Sequence, residues 1–179
     1  MLYVFGFQRT GVVLSDLYFV DPNPASGQEG AERGVRLEVR LLERGELKGS
    51  VYSAQPISIG RPVWRADLLE SADGPPGSRD RMHYHPAITG WEPGRRVFDP
   101  ELTADPVGWI AARLSSLETL LAEAGTGGQP VDAADAAELR RCLPEITSAA
   151  AGLLARVRAG ELACPPAGEP VPSARASWL

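Results

Sequence analysis

The clearest pattern in the chain is an alternation over Val35–Leu41, where Val35, Leu37, Val39 and Leu41 are separated by Arg36, Glu38 and Arg40. A period of two predicts a strand with one apolar and one polar face. Leu2–Phe7 and Val12–Val20, rich in aromatic and β-branched residues and separated by turn residues, predict a hairpin before it. Leu47–Ile59 and Val63–Glu70 read as two further β-segments, with Pro56 marking an edge or a bulge in the first. Asp73-Gly74-Pro75-Pro76-Gly77 is loop. After it, Arg81–Ile88 reads as a strand, Thr89–Gly94 as a turn and Arg95–Phe98 as a short last strand.

The period then changes. Asp105-Pro106 has the form of a helix cap followed by proline at the first helical position. Val107, Ile110, Leu114, Leu117 and Leu121 follow at steps of three and four, and Gly125 closes the pattern. A second helix is expected from Asp132, with Asp135 favouring its positive end. It carries a stripe of Leu139, Leu143, Ile146, Ala150, Leu153 and Val157, a kink or restart at Pro144, and an end at Gly160. Strands followed by helices give an α+β class: an antiparallel β-meander of about six or seven strands over residues 2–102, packed on a C-terminal helical hairpin of residues 105–160. Residues 1–164 are expected to form one domain. Residues 165–179, rich in Pro, Ala and Ser, are expected to form a flexible tail.

Composition narrows the function. Twelve basic residues stand against 14 acidic ones before residue 104, and six against nine after it, for a net charge of −5. With no basic half and no basic run, the chain lacks the electrostatic footprint for duplex nucleic acid or an anionic membrane. No apolar run is long enough to span a bilayer, and the N-terminus lacks the form of a signal peptide, so a cytoplasmic protein is expected. Cys142 and Cys164 are the only cysteines and make no disulfide framework. No phosphate-binding glycine loop, Gly-x-Ser-x-Gly elbow or Cys-x-x-Cys occurs.

Candidate chemistry concentrates between Arg79 and Trp109, which holds both histidines. On a strand, His83 and His85 project from one face. Two imidazoles so placed can share a divalent transition metal, but a third protein ligand is required, and it has to be a carboxylate such as Asp67 or Glu92. Gly77 followed by five residues and His83-Tyr84-His85 resembles the opening of the first cupin motif, over under ten residues. Cupins are β-barrels that bind metal through such a pair, a nearby glutamate and a later histidine. Here Glu92 is too far from His85 for that spacing and no later histidine follows, so the resemblance implies no activity.

A second candidate is the polar sheet face. If Val35, Leu37, Trp64 and Met82 face the helices, then Arg36, Arg40, Arg65, Asp67, His83 and His85 share the opposite side. That side is expected to be solvated, or to bind a small polar or anionic ligand or a protein. A third is the turn Trp91–Arg96, whose Trp and Arg suit a partner surface; the alternative is that Trp91 folds back on the core.

The leading expectation is therefore a non-catalytic binding or protein-interaction module using the polar face (Arg36, Arg40, Arg65) and the Trp91 turn. The alternative is a small metal- or histidine-dependent hydrolase or nuclease. It would use His83 and His85 with a carboxylate, and Arg95 or Arg96 would steady a developing anion. A homodimer formed through the helix stripe is the third.

Overall fold

A computed structural model describes residues 1–24, 26–46, 56–126 and 133–165. Its main sheet has five antiparallel strands in chain order: β1 (Leu2–Gly6), β2 (Thr10–Val20), β3 (Ala31–Arg44), β4 (Ile57–Ser71) and β5 (His83–His85). A two-stranded ribbon, β6 (Ile88–Thr89) and β7 (Glu92–Pro93), follows. Four helices complete the described chain: α1 (Pro100–Ala104), α2 (Pro106–Ser115), α3 (Leu117–Glu123) and α4 (Ala133–Arg158). The fold is α+β, with the helices mostly C-terminal.

The alternation in β3 sets the sheet. Val12 and Leu14 on β2, Val35, Leu37 and Val39 on β3, and Trp64, Ala66 and Leu68 on β4 are fully buried on the helix side. The register, with Val12↔Val39, Leu14↔Leu37, Val35↔Leu68 and Leu37↔Ala66, stacks them in rows. Gly34 is required where β3 meets β4, because a Cβ there would lie 2.0 Å from the Leu68 carbonyl oxygen. The helix side is closed by Ile110, Leu114, Leu117, Leu139, Ile146, Ala150 and Leu153. Trp64 stacks on Trp109 at 6.0 Å between ring centroids.

Several expected boundaries move. The segments expected at 47–59 and 63–70 are, over the described part, one continuous strand, β4. Its irregularity sits at Pro62 rather than Pro56: register shifts flank Arg40, the residue opposite Pro62, where the missing proline N–H breaks the ladder. Only three residues of 81–88 join the sheet, and 95–98 contributes a single bridge, Val97 to Tyr84. The 89–94 turn contains β7 and the end of β6.

The helix expected from Asp105 to Gly125 divides at Ser116 into α2 and α3. An unexpected short helix, α1, precedes it, capped by the Asp99 carboxylate on the Glu101 N–H. Asp105 caps α2 through the Gly108 N–H. α4 runs through Pro144 without a restart. Residues 47–55, the Asp132 cap, the linker after residue 126 and the tail from 166 lie outside the described residues.

Asp135 does more than favour a helix end. It is fully buried and accepts the backbone N–H groups of Gln8, Arg9 and Thr10 and the Thr10 hydroxyl, at 2.8–3.0 Å. One carboxylate thereby fixes the start of α4 to the β1–β2 turn. Among the described residues, no helix is long and apolar enough to cross a membrane.

Candidate functional site

The phase of the strands carries Arg36, Glu38, Arg40, Arg65, Asp67, His83 and His85 to the side opposite the helices. Cross-strand pairing then assembles them: Arg36↔Asp67, Glu38↔Arg65, Asp67↔His83 and Arg65↔His85. The surface is not a solvated one. Asp67, His83 and His85 are 1%, 2% and 3% exposed.

The cover comes from the irregular segment after β5 and from the loop after β2. The Phe98 ring lies 5.5 Å from the His83 ring, and the Gly94 carbonyl meets His85. Arg96 ties the two covering segments together through Gln28 Oε1 at 2.7 Å and Asp21 Oδ2 at 2.9 Å. A polar row that would ordinarily face water therefore forms a second, polar interior.

Asp67 is the hub. Arg36 Nε donates to its Oδ1 at 2.7 Å, and Arg65 Nε lies 3.1 Å from Oδ2. The Nε2 atoms of His83 and His85 each lie 3.5 Å from the same Oδ2. Burial alone would push the Asp67 carboxyl up; Arg36 first, then His85, Arg65 and His83, outweigh it and hold the group well below the ordinary carboxylate range. Burial likewise lowers His83, to about 4 against the opposing pull of Asp67, so its ring is neutral at pH 7. Arg65 is also lowered by burial.

Hydrogen bonds settle where the ring protons sit. His83 Nδ1 is 2.8 Å from the Arg81 carbonyl oxygen, and His85 Nδ1 is 2.8 Å from that of Gly94. A carbonyl only accepts, so each Nδ1 carries the hydrogen and, in a neutral ring, each Nε2 presents its lone pair. Both lone pairs then face the neighbourhood of an ionised carboxylate oxygen. That arrangement of acceptors calls for a cation between them. The guanidinium of Arg65 partly answers it, with Nη2 3.2 Å from His85 Nε2.

The donor set also fits a metal. One atom from each of Asp67, His83 and His85 lies within 4.8 Å of the others. In a tetrahedral site with bonds of about 2.0–2.1 Å, neighbouring donors stand about 3.4 Å apart, close to the 3.5 Å seen between each imidazole and Asp67. Anchoring of the second ring nitrogen by a carbonyl is how metal-binding histidines are oriented.

The other sequence-derived candidates are placed differently. Glu92 is exposed on β7 and is not one of the three converging donors. Arg95 is exposed, and Arg96 is engaged with Gln28 and Asp21, so the guanidinium beside the histidines belongs to Arg65. Trp91 does not fold back on the core: it is 64% exposed, with the Arg40 guanidinium 5.7 Å from its ring centroid. Arg40 otherwise pairs with Glu38 and donates to the Gly60 carbonyl. Sequence reasoning gave no role to Glu32, which is 2% exposed and raised by burial, or to Phe98 and the Arg81 and Gly94 carbonyls. No known protein-family model matches this chain, and no curated protein or solved structure matches it either.

Proposed function

We propose that Asp67, His83 and His85 form a binding site for a divalent transition metal, and that the protein is a small metal-dependent hydrolase. The observation that carries this reading is the tautomer pair. Both imidazoles are held by backbone carbonyls with Nε2 turned toward one oxygen of Asp67. Two neutral imidazoles and a carboxylate are a ligand class for zinc and non-haem iron that leaves a position for water. Held by these three residues, such an ion would supply the Lewis acidity that makes a water a nucleophile near neutral pH. Arg65 and Arg36, on the same carboxylate, would favour a substrate carrying negative charge. The covering segment has to move for a substrate to enter, and the Arg96 clasp on Asp21 and Gln28 is where it would release.

The test is equilibrium dialysis of the purified chain against Zn2+ or Fe2+, followed by metal analysis. One ion per chain is expected, lost in His83→Gln and in His85→Gln, each of which should keep its circular dichroism spectrum. No bound metal in the wild type, or full retention in both variants, refutes the site.

A second reading rests on Trp91. A tryptophan 64% exposed at the tip of the β6–β7 turn, backed by Arg40, is suited to a protein partner. In this reading the polar interior stiffens the platform under the turn. Trp91→Ala would then abolish partner capture with an unchanged melting temperature; a large drop in melting temperature would make Trp91 a structural residue instead.

A further inference from the structure

The two edges of the main sheet differ. The β5 edge is three residues long and is covered by Val97, whose N–H and carbonyl both bond to Tyr84. The β1 edge, Leu-Tyr-Val-Phe-Gly, has no charge, no proline and no bulge. Phe7 N–H bonds to Thr10 and Asp16 N–H to Met1, so the odd-numbered residues of this strand face β2. By antiparallel alternation, Leu2, Val4 and Gly6 turn their N–H and C=O groups outward, and among the described residues nothing pairs with them. Leu2 is 63%, Val4 44% and Tyr3 39% exposed. Such an edge is a template for another strand.

α4 packs mainly over β3 and β2, with one flank open toward β1, and runs antiparallel to that strand. Asp135, near its start, holds the β1–β2 turn, and Arg156, near its end, touches Met1. Between them is a groove floored by Tyr3, Phe5 and Leu153, with Glu145 toward one end and Arg156 toward the other. The helix wall of the groove is small: Ser148, Ala149 and Gly152. Gly152 keeps this wall open: a Cβ there would meet no atom of the described residues within 4 Å.

We propose that this face binds a second copy of the chain, forming a two-fold dimer in which β1 pairs antiparallel with β1 and the two sheets become one. An axis at Val4 sets Val4 against Val4 and Leu2 against Gly6 of the second copy, joining the outward groups in a regular ladder. The same axis sets the two α4 helices antiparallel on one side of the joined sheet, their open flanks turned toward each other across the paired β1 strands. Glu145 of each copy is then turned toward Arg156 of the other. Opposite charges at the ends and small residues at the centre make the face complementary to itself, which an isologous interface requires. Arg156, which also pairs with Glu161, would bridge two carboxylates.

The experiment is size-exclusion chromatography with light scattering on the full chain. The wild type is expected at twice the 19.1 kDa chain mass. Val4→Pro removes the N–H at the axis from an edge position that tolerates proline, and should give a folded monomer. Glu145→Arg and Arg156→Glu should each weaken the dimer at least tenfold, and the double exchange should restore it. A wild type that stays monomeric overturns the proposal. So does a dimer that persists in Val4→Pro, or a double exchange no tighter than the single variants.

Discussion

Replacing Arg65 with methionine separates the metal reading from a purely structural one. The guanidinium lies 3.1 Å from Asp67 Oδ2 and 3.2 Å from His85 Nε2, the atoms a metal would use. Two unit charges 4 Å apart interact by about 4 kcal/mol at an effective dielectric of about 20, so a dication would meet about 8 kcal/mol of repulsion from a fixed Arg65. A swing of the side chain to about 8 Å halves that penalty without removing it. Methionine keeps much of the apolar stem and deletes the charge. Arg65→Met is therefore expected to tighten Zn2+ binding by at least about tenfold, equivalent to about 1.4 kcal/mol. Without metal the variant should be less stable than the wild type, since Asp67 loses one of its two guanidinium partners. A saturating metal concentration should raise its melting temperature more than it raises that of the wild type. Isothermal titration calorimetry and thermal melts with and without Zn2+ measure both effects. Unchanged or weaker affinity would show that Arg65 does not occupy the place of a cation.

Two other perturbations test the frame around the site. Asp135→Ala removes four hydrogen bonds to a buried carboxylate. Water can replace those of the exposed Gln8 and Arg9, but both groups of Thr10 stay buried, so urea denaturation should show a loss of about 3–5 kcal/mol. A loss under about 1 kcal/mol would mean the turn holds without the helix. Glu32→Gln should stabilise the protein at pH 7. Burial raises the Glu32 carboxyl, and its Oε2 has no hydrogen-bond partner among the described residues. As pH rises the unfolded chain ionises first, so the wild type loses stability through that window and stays penalised above it. The advantage of glutamine should vanish below about pH 4; an advantage that persists there would trace to packing instead.

The frame was legible because periodicity reports it directly. The β3 alternation, with the parallel assignments of Trp64 and Met82, placed Asp67, His83 and His85 on the correct side of the sheet. Periodicity says nothing about what covers a face, and the cover here is built from irregular chain: Gly94, Arg96, Phe98, and the Asp21 and Gln28 loop. A polar period alone therefore does not distinguish a wet face from a covered one. Other misses had local signals. Asp99-Pro100-Glu101 has the same cap-and-proline form as Asp105-Pro106, but the five-residue helix it opens is too short to show a helical period. Ser116, ahead of Leu117 and Glu118, marks a helix restart that the continuous leucine stripe concealed. The buried contacts of Asp135 left no sequence signal, because its acidic position in the first turn was already accounted for by the helix dipole.

The covered polar face also makes Asp67 energetically unlike a surface acid. Its carboxylate balances Arg36 and Arg65, whose side chains are each 12% exposed. Asp67→Asn would strip Arg36 and Arg65 of the carboxylate they share. Removing one partner from a buried pair costs about 3–5 kcal/mol, whereas replacing the whole set by apolar residues can be neutral. Asp67→Asn should therefore destabilise the chain by that amount. Adding Arg36→Met and Arg65→Met should return most of the loss, a non-additivity that chemical denaturation of the single, double and triple variants would read as coupling. If the three substitutions instead add, each side chain is solvated independently and the enclosed network described around Asp67 does not exist in solution. Recovery in the triple variant would show that the cluster is dispensable for folding. The presence of Asp67 beside two oriented imidazoles in the wild type would then call for a role in binding rather than in stability.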